Sequence, residues 1–94
     1  MKFVISPHAE SDIDGIAAYI ALDNPDRPVS FAIEIRQRFR VIAERPFTFP
    51  EKAEWGQHKR SALIGKYHIL FEVKNEVVQI QRVMHGARNI GDLI

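Results

Sequence analysis

Apolar positions in the first quarter of the chain change from a short continuous run to helical spacing. Lys2-Phe3-Val4-Ile5 is typical of a strand, and Ser6-Pro7 offers an N-cap followed by a first helical residue. The helix ends at Asn24-Pro25, because a residue before proline is driven out of the α region. Asp12 and Asp14 are predicted to turn away from the core. The apolar stripe of this first helix comprises Ala9, Ile13, Ile16, Ala17 and Ile20.

A second helical pattern runs from near Asp26 to about Glu44 and stops at Arg45-Pro46. Its link to the first helix is short, which predicts an antiparallel helical hairpin. Its apolar stripe comprises Phe31, Ala32, Ile35, Phe39 and Ile42.

Beyond an aromatic, proline-containing loop the apolar period changes from 3.6 to 2. Three strands are predicted, joined by tight turns at Gly65-Lys66 and at Lys74-Asn75-Glu76. Short connections make these strands antiparallel neighbours. Their predicted bounds are His58 to Ile64, Tyr67 to Val73 and Val77 to Met84.

The predicted fold is α+β, with the order β-α-α-β-β-β and a helical hairpin packed on a small antiparallel sheet. All 94 residues are assigned to a single domain. The last strand carries apolar and polar residues on both faces, which predicts either a bulge or a partner that covers its second face. The residues of the middle strand expected against the helices are Tyr67, Ile69, Phe71 and Val73.

The composition and the absence of known motifs argue against several classes of protein. There is no cysteine, and no apolar run is long enough to span a bilayer, so a reducing, cytoplasmic setting without membrane insertion is expected. The formal net charge of +1 argues neither for nor against nucleic acid. No nucleotide-binding, zinc-protease or hydrolase motif is present, and the four histidines form no short-range ligand pair. Neither a metal nor a cofactor is expected.

Basic residues and a histidine gather in the last third of the chain. Adjacent strands can bring such side chains onto one sheet face, which predicts an anion-binding patch, with a solvated or ion-paired surface as the alternative. If the chemistry is phosphodiester cleavage, His85 is the candidate acid or base and Arg60, Arg82 or Arg88 would hold the phosphate. The group comprises Lys59, Arg60, Lys66, Arg82, His85 and Arg88.

Two stretches, Tyr67 to Val73 and Val78 to Asn89, resemble the ParE branch of the RelE/ParE toxin superfamily. The similarity extends to the helix at Asp12 to Ile20 and covers nearly the whole chain, and the run from Arg82 to Arg88 is its most specific element. Arg60 matches a basic position on the preceding strands. The β-α-α-β-β-β fold of that family agrees with the order predicted above from periodicity.

The resemblance implies the toxin of a type II toxin–antitoxin pair that causes growth arrest. ParE-like members trap DNA gyrase on cleaved DNA by contact, without being nucleases, and a small DNA-binding, ParD-like antitoxin neutralises them in a hetero-oligomer. The residues expected to bind the target or the partner are Arg60, Tyr67, Arg82, His85 and Arg88.

The RelE branch, which cuts mRNA in the ribosome, is the alternative, with His85, Arg82 and Arg60 as catalytic residues. No tyrosine follows Tyr67, which favours the gyrase branch. A module that only binds an antitoxin is a third possibility. Two positions depart from the ParE pattern: Phe71-Glu72 stands where a tyrosine and a basic residue are common, and Asn89 replaces a common aspartate.

Overall fold

The computed structural model describes residues 1–86 of the chain. Its elements follow the predicted order, and the two single-turn 3-10 helices of the loop, Pro46–Thr48 and Ala53–Trp55, are the additions. The helices and strands are β1 (Lys2–Ile5), α1 (Pro7–Asp23), α2 (Arg27–Glu44), β2 (Arg60–Ile64), β3 (Tyr67–Lys74) and β4 (Val77–His85).

The first helix begins as the sequence predicts. The Ser6 hydroxyl accepts a hydrogen bond from the backbone N–H of Ala9 at 3.0 Å, and Pro7 occupies the first turn. That bond satisfies one of the backbone donors that a helix start leaves without a partner. Ser6 also donates its hydroxyl to the carbonyl of Gln81 at 2.9 Å, so the cap fixes the helix start to β4.

The four strands form one sheet in the order β1-β4-β3-β2. Strands β2, β3 and β4 are antiparallel neighbours, as predicted, whereas β1 pairs with β4 in parallel, so the complete sheet is mixed. The turn between β3 and β4 places Asn75 and Glu76 at φ 53° and 62°, the backbone of the two-residue hairpin turns that match strand twist.

A β-bulge in β4 explains the mixed faces of this strand. Leu70 of β3 pairs with Arg82 and Phe71 pairs with Ile80, which leaves Gln81 as the extra residue. The core side of β4 is therefore occupied by Val78 and Ile80 before the bulge and by Val83 after it. Of the two predicted explanations, the bulge is confirmed.

The core lies between the helices and one face of the sheet. Ile69 and Phe71 are fully buried in it, and Tyr67 and Val73 pack at its border, which confirms the predicted helix-facing side of β3. From α2, Phe39 packs its ring on Phe3 of β1, with ring centroids 5.7 Å apart.

Candidate functional site at the end of the last strand

Tyr67 and His85 lie side by side where the sheet ends. They are directly opposite each other on β3 and β4, and their rings meet edge to face with centroids 5.5 Å apart. Tyr67 also packs on Phe31 of α2, with ring centroids 5.8 Å apart. The core of the hairpin thus supports the aromatic surface at the end of β4.

An ion pair attaches α1 to β4 next to this surface. Both oxygens of Asp12 accept hydrogen bonds from the Arg82 guanidinium, at 2.9 and 3.1 Å, and one of them also accepts the backbone N–H of Val83 at 2.9 Å. These hydrogen bonds raise the pKa of Arg82, so its charge is permanent. The prediction that Asp12 turns away from the core is wrong. β1 pairs with β4 only as far as Ile80, so β1 offers no acceptor to the backbone N–H of Val83, and the carboxylate of Asp12 supplies one.

Between α1 and the end of β4 lies an open groove of about 680 Å³. Its walls bring together Tyr67 and His85, which the sequence singled out, with α1 residues that it did not. We name it the α1–β4 groove; it is lined by Ser11, Asp12, Gly15, Ile16, Tyr19, Tyr67, Val83, Met84 and His85.

Arg60 lies away from the groove. It pairs with Phe71 on β3, four residues from Tyr67, which corresponds to about 13 Å along a strand. Its guanidinium donates to the Phe49 carbonyl at 2.7 Å and to Glu51 at 3.3 Å. Arg60 therefore holds the loop before β2 in place and lies away from the end of the sheet where Tyr67 pairs with His85.

Glu72 neutralises basic residues on the face of the sheet opposite the helices. Its buried carboxylate accepts hydrogen bonds from Lys59 and Gln81 and lies 3.8 Å from the ammonium of Lys74. Burial acts to raise the pKa of Glu72, but these hydrogen bonds and the charges of Lys59 and Lys74 outweigh it and hold the pKa below its usual value. Among the described residues, Lys59, Arg60 and Arg82 are therefore each paired with a carboxylate, those of Glu72, Glu51 and Asp12 respectively.

His68 occupies the same face and supports the turn after β4. Its Nδ1 shares a hydrogen bond with the buried Ser61 hydroxyl at 3.1 Å, and the Trp55 ring packs edge to face against it. A Cβ atom on Gly86 would lie 3.3 Å from His68 Nε2 and 3.2 Å from the Lys66 carbonyl oxygen. The close approach of this backbone to the imidazole accounts for a glycine after His85.

Acidification is expected to destabilise the fold through His68. Burial, and then the charge of Lys52, lowers the pKa of His68 in the folded chain. The unfolded chain therefore takes up the proton first, and the free energy of unfolding falls as pH drops below about 6.5, the pKa of a free histidine. Denaturant titrations of the His68→Gln variant should show a smaller loss between pH 7.5 and 5.5 than the wild type. The exposed His8, replaced in the same way, is the control; an unchanged slope in His68→Gln would contradict the prediction.

His8 is exposed on α1 and His58 is exposed in the turn before β2, and residues 1–86 contain no cluster of three ligands that could hold a metal ion. No helix in that part of the chain is long and apolar enough to cross a membrane. Arg88 and Asn89 lie outside the described residues.

The sequence matches the family model of the ParE toxin of the type II toxin–antitoxin system parDE over residues 3–90. This chain belongs to the ParE toxin family. It is therefore a type II toxin by family, as the resemblance of its C-terminal strands implied.

A solved structure supports the same fold. The chain is similar to one from the chromosomal ParDE toxin–antitoxin system of P. aeruginosa, with a TM-score of 0.79 and 16% sequence identity. The similarity covers 90% of this chain and 95% of that one. No curated protein matches the sequence.

Sequence reasoning did not identify the α1 wall of the groove, in particular Asp12 as the partner of Arg82, nor Ser6 as a link from the start of α1 to β4. The one available signal was that Asp12 lies four residues before Ile16, on the flank of the apolar stripe. A carboxylate on that flank can reach the sheet if a cation faces it.

Proposed function

We propose that this ParE-family toxin inhibits DNA gyrase in the cytoplasm by protein–protein contact at the end of β4. A ParD-like, DNA-binding antitoxin would neutralise it in a hetero-oligomer. The observation that carries the proposal is the family match over residues 3–90, which covers both helices and all four strands except Lys2 at the start of β1. The contact residues would be Arg60, Tyr67, Arg82, His85 and Arg88.

The hydrogen bonds of Arg60 and Arg82 support inhibition by contact with gyrase rather than cleavage of a phosphodiester. Phosphodiester cleavage needs cations that are available to the phosphate next to an acid or a base. Within residues 1–86, the Arg82 guanidinium is committed to the Asp12 carboxylate, and that of Arg60 to Phe49 and Glu51. In the proposed mechanism Arg82 shapes the surface by holding Asp12 of α1, Arg60 holds the loop before β2, and Tyr67 and His85 form the aromatic part of the surface.

A supercoiling assay with purified gyrase and this protein, without antitoxin, tests the proposal. We expect cleaved-DNA complexes to accumulate and supercoiling to stop. The His85→Ala variant should need at least about tenfold more protein for half-inhibition, because it removes the histidine side of the aromatic surface. His8→Ala, which changes an exposed histidine at the start of α1, should behave as wild type.

Two results would contradict the proposal. One is gyrase that supercoils at the normal rate at every toxin concentration. The other is codon-associated cuts in transcripts after induction, mapped from their new ends, which would show the ribosome-dependent endonuclease instead.

A further inference from the structure

The aromatic surface formed by Tyr67 and His85 is too small to hold a protein partner by itself. Both side chains are partly buried, whereas a stable interface between two proteins covers about 800 Å² on each partner. The arginines add little to it, because Arg82 is bonded to Asp12 and Arg60 lies about 13 Å away along the strand. A gyrase contact centred on Tyr67 and His85 therefore has to continue onto a neighbouring surface.

The α1–β4 groove connects this aromatic surface to the first helix. Tyr67 and His85 line the groove from the sheet, and Tyr19 lines it from α1. Among the lining residues, all of which lie within residues 1–86, Asp12 carries the one carboxylate, and Arg82 neutralises it. The continuation onto α1 therefore suits apolar groups of a protein partner better than it suits a phosphate.

Tyr19 is the residue of this helix wall that the fold does not account for. Its side chain is 69% exposed, and within residues 1–86 it takes part in no hydrogen bond and no ring contact. Tyrosine is also a poorer helix former than alanine, so helix stability does not require it. Single exposed apolar side chains are common on protein surfaces, but this one shares a groove with a second tyrosine and a histidine. Tyrosine is enriched among the residues that contribute most to binding at interfaces.

We propose that Tyr19 is a third aromatic anchor of the gyrase contact, so that the contact surface extends across the groove from Tyr67 and His85 to α1. This inference rests on the proposed function, of which it specifies the toxin side of the interface. An apolar side chain of gyrase between the three rings removes Tyr19 from water, and the burial of a large ring is typical of interface hot spots. Binding then depends on the apolar area of the ring and not on its hydroxyl.

The test measures the toxin concentration that half-inhibits supercoiling by purified gyrase, without antitoxin, for the wild type and three variants. Tyr19→Ala removes the ring and should need at least about tenfold more protein. Tyr19→Phe keeps the ring and should stay within about threefold of wild type. Val41→Ala is the matched control, because Val41 is a 45% exposed apolar residue of α2 that does not line the groove; it should also stay within about threefold.

Thermal melting of the free variants separates a lost contact from a lost fold. Because Tyr19 is exposed and alanine is the better helix former, Tyr19→Ala should not melt below the wild type. A fall in its melting temperature that accounts for the lost inhibition would show that Tyr19 acts within the fold, and would overturn the inference.

Three results of the inhibition assay would also overturn it. Tyr19→Ala could inhibit gyrase as the wild type does, Val41→Ala could lose as much inhibition, or Tyr19→Phe could lose as much as Tyr19→Ala. In each of these cases the wild type still inhibits gyrase, so the proposed function stands without this anchor. If the wild type itself leaves supercoiling unchanged, the proposed function fails and the inference fails with it.

Discussion

Replacing Asp12 with alanine is expected to lower the free energy of unfolding by about 3 kcal/mol. The change removes all three hydrogen bonds that join α1 to β4 at this point. The side chains of Asp12 and Arg82 are only 16% and 23% exposed, so water can replace the lost partner only in part. The backbone N–H of Val83 loses its acceptor as well. Urea denaturation followed by circular dichroism measures the change.

Two comparisons separate the ion pair from a general effect of shortening a side chain. Asp14→Ala removes an exposed carboxylate from the same helix and should change stability by less than about 0.5 kcal/mol. Removing both charges, as in Asp12→Ala with Arg82→Met, should recover part of the lost stability, because no partly buried cation is then left without an anionic partner. A loss for Asp12→Ala no larger than for Asp14→Ala would show that the ion pair does not hold the helix.

The regular elements could be predicted from the sequence because local chemistry determines them. The Ser6-Pro7 cap, the Asn24-Pro25 stop and the Gly65-Lys66 turn each act over a few residues, and the structure has helix and strand boundaries at these places. The parallel pairing of β1 with β4 could not be predicted in the same way. It joins residues more than 70 positions apart, and no short-range signal specifies which edge of the sheet a first strand takes.

In the candidate site, too, local signals in the sequence reveal some features and long-range packing determines the others. Tyr67 and His85 lie on strands that the sequence predicts as neighbours, but the turn alone would pair Tyr67 with Met84; the bulge at Gln81 shifts the register by one residue and places His85 opposite Tyr67. The pairing of Asp12 with Arg82 depends on how α1 lies against the bulged part of β4, which periodicity does not reveal. Glu72 stands where a basic residue is common in the family, and the sequence did not show that its carboxylate is buried and accepts hydrogen bonds from Lys59 and Gln81.

These contacts connect the fold to the proposed contact surface. The bulge at Gln81 shifts the face of β4 so that Val83 enters the core while Arg82 reaches Asp12. That shift creates one wall of the groove, and the ion pair keeps α1 close enough to form the other. The bulge thus serves the site as well as the sheet, in keeping with the frequent occurrence of bulges beside functional surfaces.

Phe71→Ala is expected to cost about 3–5 kcal/mol, the largest stability effect of the changes considered. Phe71 is fully buried at the centre of β3, opposite Ile80 where the bulge begins, and its ring meets that of Phe49 edge to face at 5.8 Å. Truncation would leave a cavity between the sheet, α2 and the loop that carries Phe49. A domain of 94 residues has a total stability of about 5–14 kcal/mol, so this loss removes a large share of it and the variant should melt well below the wild type.

The matched control is Phe47→Ala in the same aromatic loop region. Phe47 is 63% exposed and contacts the guanidinium of Arg60, 5.2 Å from its ring centroid, so its loss should cost less than about 1 kcal/mol. Differential scanning calorimetry of both variants gives the comparison, and the addition of antitoxin should raise the melting temperature of Phe71→Ala by binding its folded fraction. Equal melting temperatures for the two variants would contradict a core centred on Phe71. The supercoiling assay on the same samples then relates activity to the folded fraction, because the fully buried Phe71 cannot itself touch gyrase.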